Sequence, residues 1–355
     1  MKNRIANLRL KLADSDIDAL LVSQQENRFY LSGFNGWEGF LLITQQNAVL
    51  ATDSRYIEHA RRYDAGVEVF EIKGSIARWS PHLFDSLKIK KLGFEAEHIT
   101  FNQHCRFSSS LEMMGAGLEM IPVTNLVEPL RVVKEKEEIE QIVRAAVISD
   151  AALEHIADTL CTGMSELEIA WNIEKFMRKQ GSETLPFEVI VASGPNAALP
   201  HAQPSPRAVD WGEPIVIDIG ARIGGHGSDL SRTLCLGSQD DMFRKIYGTV
   251  LKAQTAAIDG IREGMRGEEA DSIARAVIVR AGYGDAFGHS LGHGIGLAPH
   301  EAPRLGPNSQ EILTNGMVFS IEPGIYLSGW GGVRIEDTVV MENGRIKVIS
   351  KARKI

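Results

Sequence analysis

A chain of 355 residues that is 44% hydrophobic and 24% charged has apolar material for more than one core, so two domains are expected. Its formal net charge of -8 provides no basic field, which argues against phosphate-dominated nucleic-acid binding and for a small-molecule or peptide partner. No apolar run reaches the roughly 18 residues that a bilayer span needs, and the charges scattered through the first segment leave no signal-peptide core; a cytoplasmic protein without membrane contact is expected.

Residues 2–13 predict a helix with Ile5, Leu8, Leu10 and Leu12 on its buried stripe, followed by a short strand from Asp18 to Ser23. Strand-like runs recur at 40–44, 48–52 and 67–72, with a polar helical stretch from Ser54 to Arg62 between the last two. This alternation through about residue 125 predicts an α/β amino-terminal domain. Cys105, Cys161 and Cys235 lie far apart with no CxxC pairing, which predicts three buried free thiols and no disulfide framework. Pro129, a helix-stopping residue, precedes a dense charge cluster and then Ile139, Ile142, Val143 and Ala146 at helical spacing. The domain boundary is placed there, giving 1–127 and 128–355.

Downstream, Ser165 to Glu168 has the form of a capping box opening a helix to about Lys179. Helices are expected near 240–264 and 268–281, and strands over 187–193, 214–223, 317–327 and 332–350, with Glu342-Asn343-Gly344 as a hairpin turn. Helices grouped against antiparallel strands predict an α+β domain.

Candidate chemistry begins with Asp218 and Asp229, which flank a glycine-rich turn. If the flanks pair as a hairpin, both carboxylates face one side; a capped turn or a salt bridge is the alternative. Asp218 follows the apolar run Pro214-Ile-Val-Ile, and a buried carboxylate needs a cation or a hydrogen-bond set. Glu322 in SIEPGIY and Glu336 in VRIEDTVV repeat the pattern. One shared metal site accounts for all of them; such oxygen-rich sets suit manganese, cobalt or zinc, completed by a single imidazole. The glycine-rich segment from His289 to Pro303 offers His293 for that place, with His300 nearby. His201 lies in a loop after an apolar strand, where functional side chains often sit.

The segments DIGARIGGHGSDLSRT, GHSLGHGIGLAPHEAP, SIEPGIY and GVRIED together resemble the prolidase and aminopeptidase P branch of the pita-bread metallopeptidases, and TDSRYIEHA resembles the same branch. The resemblance spans essentially the whole chain. It implies a creatinase-like α/β amino-terminal domain before an α+β pita-bread catalytic domain. It also implies two divalent ions, manganese favoured, held by Asp218, Asp229, His293, Glu322 and Glu336, with Asp229 and Glu336 bridging. The implied reaction is hydrolysis of the Xaa-Pro bond of dipeptides or short peptides by a metal-bridging hydroxide.

On that reading Glu322 doubles as proton shuttle, while His201 and His300 bind substrate and the developing oxyanion. Arg304 occupies the position of a substrate-carboxylate holder, and Arg334 either orients the Glu336 carboxylate or makes an ordinary strand salt bridge. A homodimer is implied, with Trp37, Arg55 and Tyr56 as candidates for a wall of the partner's site; local pairing of Asp53 with Arg55 is the alternative. His226 and Ser231 stand where many relatives carry tyrosine and threonine, and His226 is expected either near the metals or capping the turn. Rival readings are a methionine-type or broader aminopeptidase on the same fold and a non-catalytic binding homologue. Creatine amidinohydrolases share the layout but lose the ligands retained here.

Overall fold

The computed structural model describes residues 2–62, 66–85, 87–114 and 117–355, which fall into two units, Met1–Arg131 and Val132–Ile355. The amino-terminal unit runs α1 (Lys2–Ala13), β1 (Ala19–Val22), α2 (Gln25–Ser32), β2 (Phe40–Thr44), β3 (Ala48–Asp53), α3 (Ile57–Ala60), β4 (Glu68–Ile72), α4 (Ile76–Asp85), β5 (Lys91–Glu95), α5 (Phe101–Met114), β6 (Glu119–Val123) and α6 (Glu128–Arg131). Its sheet has the order β4-β3-β2-β1-β5-β6. The β1-β2-β3 segment is antiparallel, and β4, β5 and β6 each join in parallel. β1 and β2 are buried along nearly their whole length, as strands covered on both faces must be. Trp79 and Phe84 of α4 and Phe107 of α5 pack on Leu21, Leu42 and Leu92.

Several expectations change. Leu10 is 69% exposed, while Ile5, Leu8 and Leu12 are buried; positions 5, 8 and 12 follow helical spacing and position 10 does not. Pro129 opens α6 instead of stopping a helix, because at the first helical turn its missing N–H has no partner to lose. α6 also stays with the amino-terminal unit, so the division falls after Arg131. The Tyr30 hydroxyl donates to Leu130 O at 2.7 Å, and Arg131 Nη1 donates to Asn27 Oδ1 at 2.8 Å. Cys105 and Cys161 are exposed thiols and Cys235 is partly buried, a pattern that the absence of cysteine pairing could not foretell.

The second unit contains α7 (Lys136–Thr159), α8 (Glu166–Lys179), β7 (Ile190–Ser193), β8 (Pro214–Ile219), β9 (Arg222–Ile223), β10 (His226–Gly227), β11 (Leu230–Cys235), α9 (Asp241–Gly260), α10 (Gly267–Arg280), β12 (Gly292–Gly294), β13 (Glu301–Leu305), β14 (Val318–Ile321), β15 (Gly324–Leu327), β16 (Gly331–Arg334), β17 (Asp337–Glu342) and β18 (Arg345–Val348). Two helix-on-sheet layers result. α7 and α8 cover the antiparallel sheet β11-β8-β7, burying Leu153, Ile169 and Ile173 against Ile215, Ile217 and Ile219. α9 and α10 cover β13-β12-β14-β17-β18, burying Ile246, Val250 and Ile278 against Phe319, Ile321 and Val339. The expected box at Ser165 and Glu168 caps α8. Asn343 and Gly344, both at positive φ (53° and 74°), form the two-residue turn between β17 and β18.

Arg232 of β11 joins the two layers. Only 1% exposed, it uses all five guanidinium hydrogens: on Glu336 O, on Ser231 O at 3.0 Å, on Ala352 O and Asp337 Oδ1 at 2.8 Å, and on Arg353 O at 3.1 Å. Lys354 adds a second cation on Asp337 Oδ2 at 2.6 Å. Removing the guanidinium strands buried carbonyls and half the charge balance of Asp337. Arg232→Met is therefore expected to lower the unfolding free energy by about 3–5 kcal/mol in urea denaturation. A loss under about 1 kcal/mol would show that the layers hold together without it.

Candidate metal centre

Asp218 lies in β8 opposite Ser231 of β11. Asp229 stands two residues before Ser231, so both carboxylates fall on one face of the hairpin. The remaining acidic positions are not strand interiors, as expected from sequence, but strand breaks. Pro323 lacks the N–H needed to continue a ladder, and the run through Glu322 divides into β14 and β15. The run through Glu336 divides likewise into β16 and β17, and Glu336 N donates back to Ser231 O at 3.0 Å. His293 is the middle residue of β12, which pairs with β13 on one side and β14 on the other. A Cβ at Gly292 would collide with Ser320 O and one at Gly294 with Ala302 O, so flanking glycines are what allow β12 between its neighbours.

These five side chains, with His201, His300, Arg304 and Arg334, border one cavity of about 670 Å³. Asp229, His293 and Glu336 offer ligand-type atoms within 4.8 Å of one another. His293 Nδ1 faces Gly294 O at 3.1 Å and must carry the proton, which leaves Nε2 towards Glu322 Oε1 at 3.2 Å and Asp229 Oδ2 at 3.6 Å. Asp218 Oδ1 and Glu336 Oε1 are buried without a hydrogen-bond partner among the described residues.

The electrostatics follow from four carboxylates sharing little solvent. Burial, then the charges of Glu336, Asp218 and Glu322, holds the Asp229 pKa well above the ordinary value. Burial and the charges of Glu322 and Asp218 do the same to Glu336. For Glu322, burial is outweighed by the hydrogen bond and charge of His293, and its pKa falls to about 2. His293 is raised in turn, its burial outweighed by Glu322. His300 packs edge-on against His293 with centroids 4.2 Å apart; burial and the His293 charge lower its pKa and keep it neutral.

Of the two roles expected for Arg334, the direct contact is a salt bridge. Its guanidinium donates directly to Asp218 Oδ2 at 2.7 Å and reaches Glu336 only through Ser231, whose hydroxyl accepts from Arg334 Nε at 2.9 Å and donates to Glu336 Oε2 at 2.8 Å. It also donates to Pro200 O at 3.1 Å and Tyr326 Oη at 2.9 Å. His289 Nδ1 faces Ser290 O at 2.8 Å, so the neutral ring accepts the Tyr326 hydroxyl at Nε2, 3.0 Å away. His201 lies on a loop organised by buried Glu166, which accepts from Ser193, Asn196 and Ser205. Sequence reading missed Ser231, Tyr326, His289 and Glu166 as parts of this framework; Tyr326 closes the SIEPGIY segment and Ser231 lies two residues after Asp229, the two local hints available. His226 lies outside the cavity, with Nδ1 on Gly224 O at 3.0 Å and Nε2 on Glu138 Oε1 at 3.2 Å, so it secures the turn against α7.

Residues 140–343 match Metallopeptidase family M24, and residues 4–133 match the Creatinase/Prolidase N-terminal domain. The chain belongs to metallopeptidase family M24. It is 35% identical over 358 residues, covering 100% of both chains, to an Xaa-Pro dipeptidase of Pyrococcus furiosus. Among solved structures it is similar to an Xaa-Pro dipeptidase from Bacillus anthracis (TM-score 0.95, 39% identity, 99% of this chain and 98% of that one). An X-Pro aminopeptidase from Thermotoga maritima MSB8 is also similar (TM-score 0.89, 36% identity, 98% of this chain and 99% of that one). The expected fold class, a creatinase-like domain followed by a pita-bread domain, is thus borne out. Membership of M24 makes the chain a metallopeptidase dependent on divalent metal ions.

The residues present fit such ions. Two buried carboxylate oxygens lack partners among the described residues, an imidazole lone pair points at carboxylates, and four carboxylates face the single guanidinium of Arg334. Without metal, raised pKa values on Asp229, Glu336 and His293 mean that the folded chain binds more protons than the unfolded one, so stability falls as pH rises through that range. His289 and His300, lowered by burial, carry the opposite sign only below the ordinary histidine value of 6.5. Chelated protein is therefore expected to lose thermal stability as the pH rises above about 6.5, and metal-loaded protein to lose less. Parallel melting profiles with and without chelator would contradict this account.

Proposed function

We propose that this M24 chain hydrolyses the Xaa-Pro bond of dipeptides, using two divalent ions, manganese favoured, held by Asp218, Asp229, His293, Glu322 and Glu336. The convergence of those five side chains on one cavity carries the reading. The similarity over its full length to proteins named Xaa-Pro dipeptidase supports the substrate class, and no observation favours a methionine-type aminopeptidase or a non-catalytic homologue. Asp229 and Glu336, which with His293 offer ligand-type atoms within 4.8 Å of one another, are the proposed bridging pair.

Bound ions of this kind supply Lewis acidity, activating a water and polarising the scissile carbonyl. Glu322, beside His293, accepts the proton of the attacking water and passes it to the departing proline nitrogen. His300, kept neutral by its burial, donates an N–H group to the developing oxyanion, and His201 donates one to substrate. Arg334 keeps Asp218 and, through Ser231, Glu336 in place. Arg304, the cross-strand neighbour of His293, is held by Ser290 Oγ at 3.1 Å and Pro307 O at 3.0 Å. Its exposed cation is positioned to hold the carboxylate that follows proline, which favours dipeptides over longer chains.

The protein is proposed to act in the cytoplasm as a homodimer; no described helix is long and apolar enough to cross a membrane. Trp37, 79% exposed, is the candidate for a contact with the partner. Arg55 pairs locally with Asp53 at 2.6 Å. A monomeric mass in solution under assay conditions would overturn the assembly.

Metal analysis is expected to find close to two divalent ions per chain, and chelation to abolish Xaa-Pro cleavage. His300→Ala is expected to lower kcat by about 10²- to 10³-fold with metal content intact. His293→Ala instead loses metal, and excess metal partly restores its activity. A His300→Ala protein that loses metal, or keeps full turnover, reverses the two assignments.

A further inference from the structure

Seven carboxylates border the cavity, and all but one are accounted for. Four belong to the proposed metal centre. Glu301 is paired with buried Lys134 at 2.6 Å, and Glu311 accepts the Arg304 backbone N–H. Glu188 stands apart: it is exposed in the cavity wall, it takes a neutral hydrogen bond from Gln203 Nε2 at 3.0 Å, and among the described residues it has no ion-pair partner. An uncompensated negative charge therefore faces the space where substrate is bound.

Its place in the sheets says which part of the substrate it meets. Ile190 of β7 is directly opposite Asp218, and Glu188 lies two residues upstream, no more than about 7 Å of chain away. Arg304 stands on the other side of the centre, beyond His293 in the second sheet. With the proline carboxylate on Arg304, the residue before proline extends towards the β7 wall. Its α-nitrogen is separated from the scissile carbonyl carbon by only about 2.5 Å and stays among the metal-centre carboxylates. Its side chain is free to reach further, and a lysine stem extends roughly 6 Å.

We propose that Glu188 reads the charge of the residue preceding proline, and that the preferred substrates carry lysine or arginine there. The inference rests on the Xaa-Pro hydrolysis proposed above. A single carboxylate on a solvated wall supports a preference of about two- to fivefold in kcat/KM, weakening as salt screens the pair.

The test compares Lys-Pro, norleucine-Pro and Glu-Pro on the metal-loaded full-length protein. Norleucine matches the lysine stem without its charge. The expected order is Lys-Pro, then norleucine-Pro, then Glu-Pro. In Glu188→Gln the ratio of Lys-Pro to norleucine-Pro falls towards one, and Glu188→Lys reverses the order of Lys-Pro and Glu-Pro. Hydrolysis of all three with the same ratios in the wild type and in Glu188→Gln overturns this assignment and leaves the reaction standing. Failure to cleave any Xaa-Pro substrate overturns the reaction and this inference with it.

Discussion

The second unit is organised around one electrostatic constraint: Asp218, Asp229, Glu322 and Glu336 are brought together where water is scarce. Like charges so placed repel strongly unless protonated or neutralised. The chain answers with two cationic or polarisable groups aimed into the set, His293 and Arg334, and leaves carboxylate oxygens unpartnered where ions fit. Much of the surrounding architecture serves to hold these groups at that distance.

The scaffold does this through strand breaks. Glu322 and Glu336 stand where one ladder ends and another begins, so their carboxylates are not confined to the alternation of a single sheet. Such breaks free backbone groups that must find partners. Glu336 N is met by Ser231 O and Glu322 N by Leu291 O, while Arg232 takes the Glu336 carbonyl. Arg334 and Ser231 then fix the side chains. The partners of Glu336 thus come from β11 in the opposite layer, which couples the packing of the two helix-on-sheet layers to the geometry of the centre.

Two histidines in ring contact show how environment divides roles. His293, hydrogen-bonded to Glu322, is driven towards the charged form in the absence of a cation, whereas His300, beside it, is driven towards the neutral form. The first is suited to facing a metal among carboxylates. The second is suited to donating an N–H without bringing a competing positive charge.

The residues by themselves determined the chemical types and most of the local structure. Carboxylates embedded in apolar runs, glycines around His293 and the capping box at Ser165 are local features whose consequences are local, so the elements and the candidate ligands were legible. What required the tertiary structure was every relation between segments distant in sequence. Sequence proximity leaves Arg334 either orienting Glu336, two positions away, or forming a salt bridge with an unnamed partner; the fold takes it across 116 positions to Asp218. Leu10 resembled its apolar neighbours and is exposed, because helix phase, and not hydrophobicity alone, selects the buried face. His226, with histidine chemistry and a place between two aspartates, turns towards α7 and away from the cavity. Sequence fixes which groups can bind, donate or ionise; only packing decides which of them meet and how much water is left between them, and those two quantities set the charge state of each.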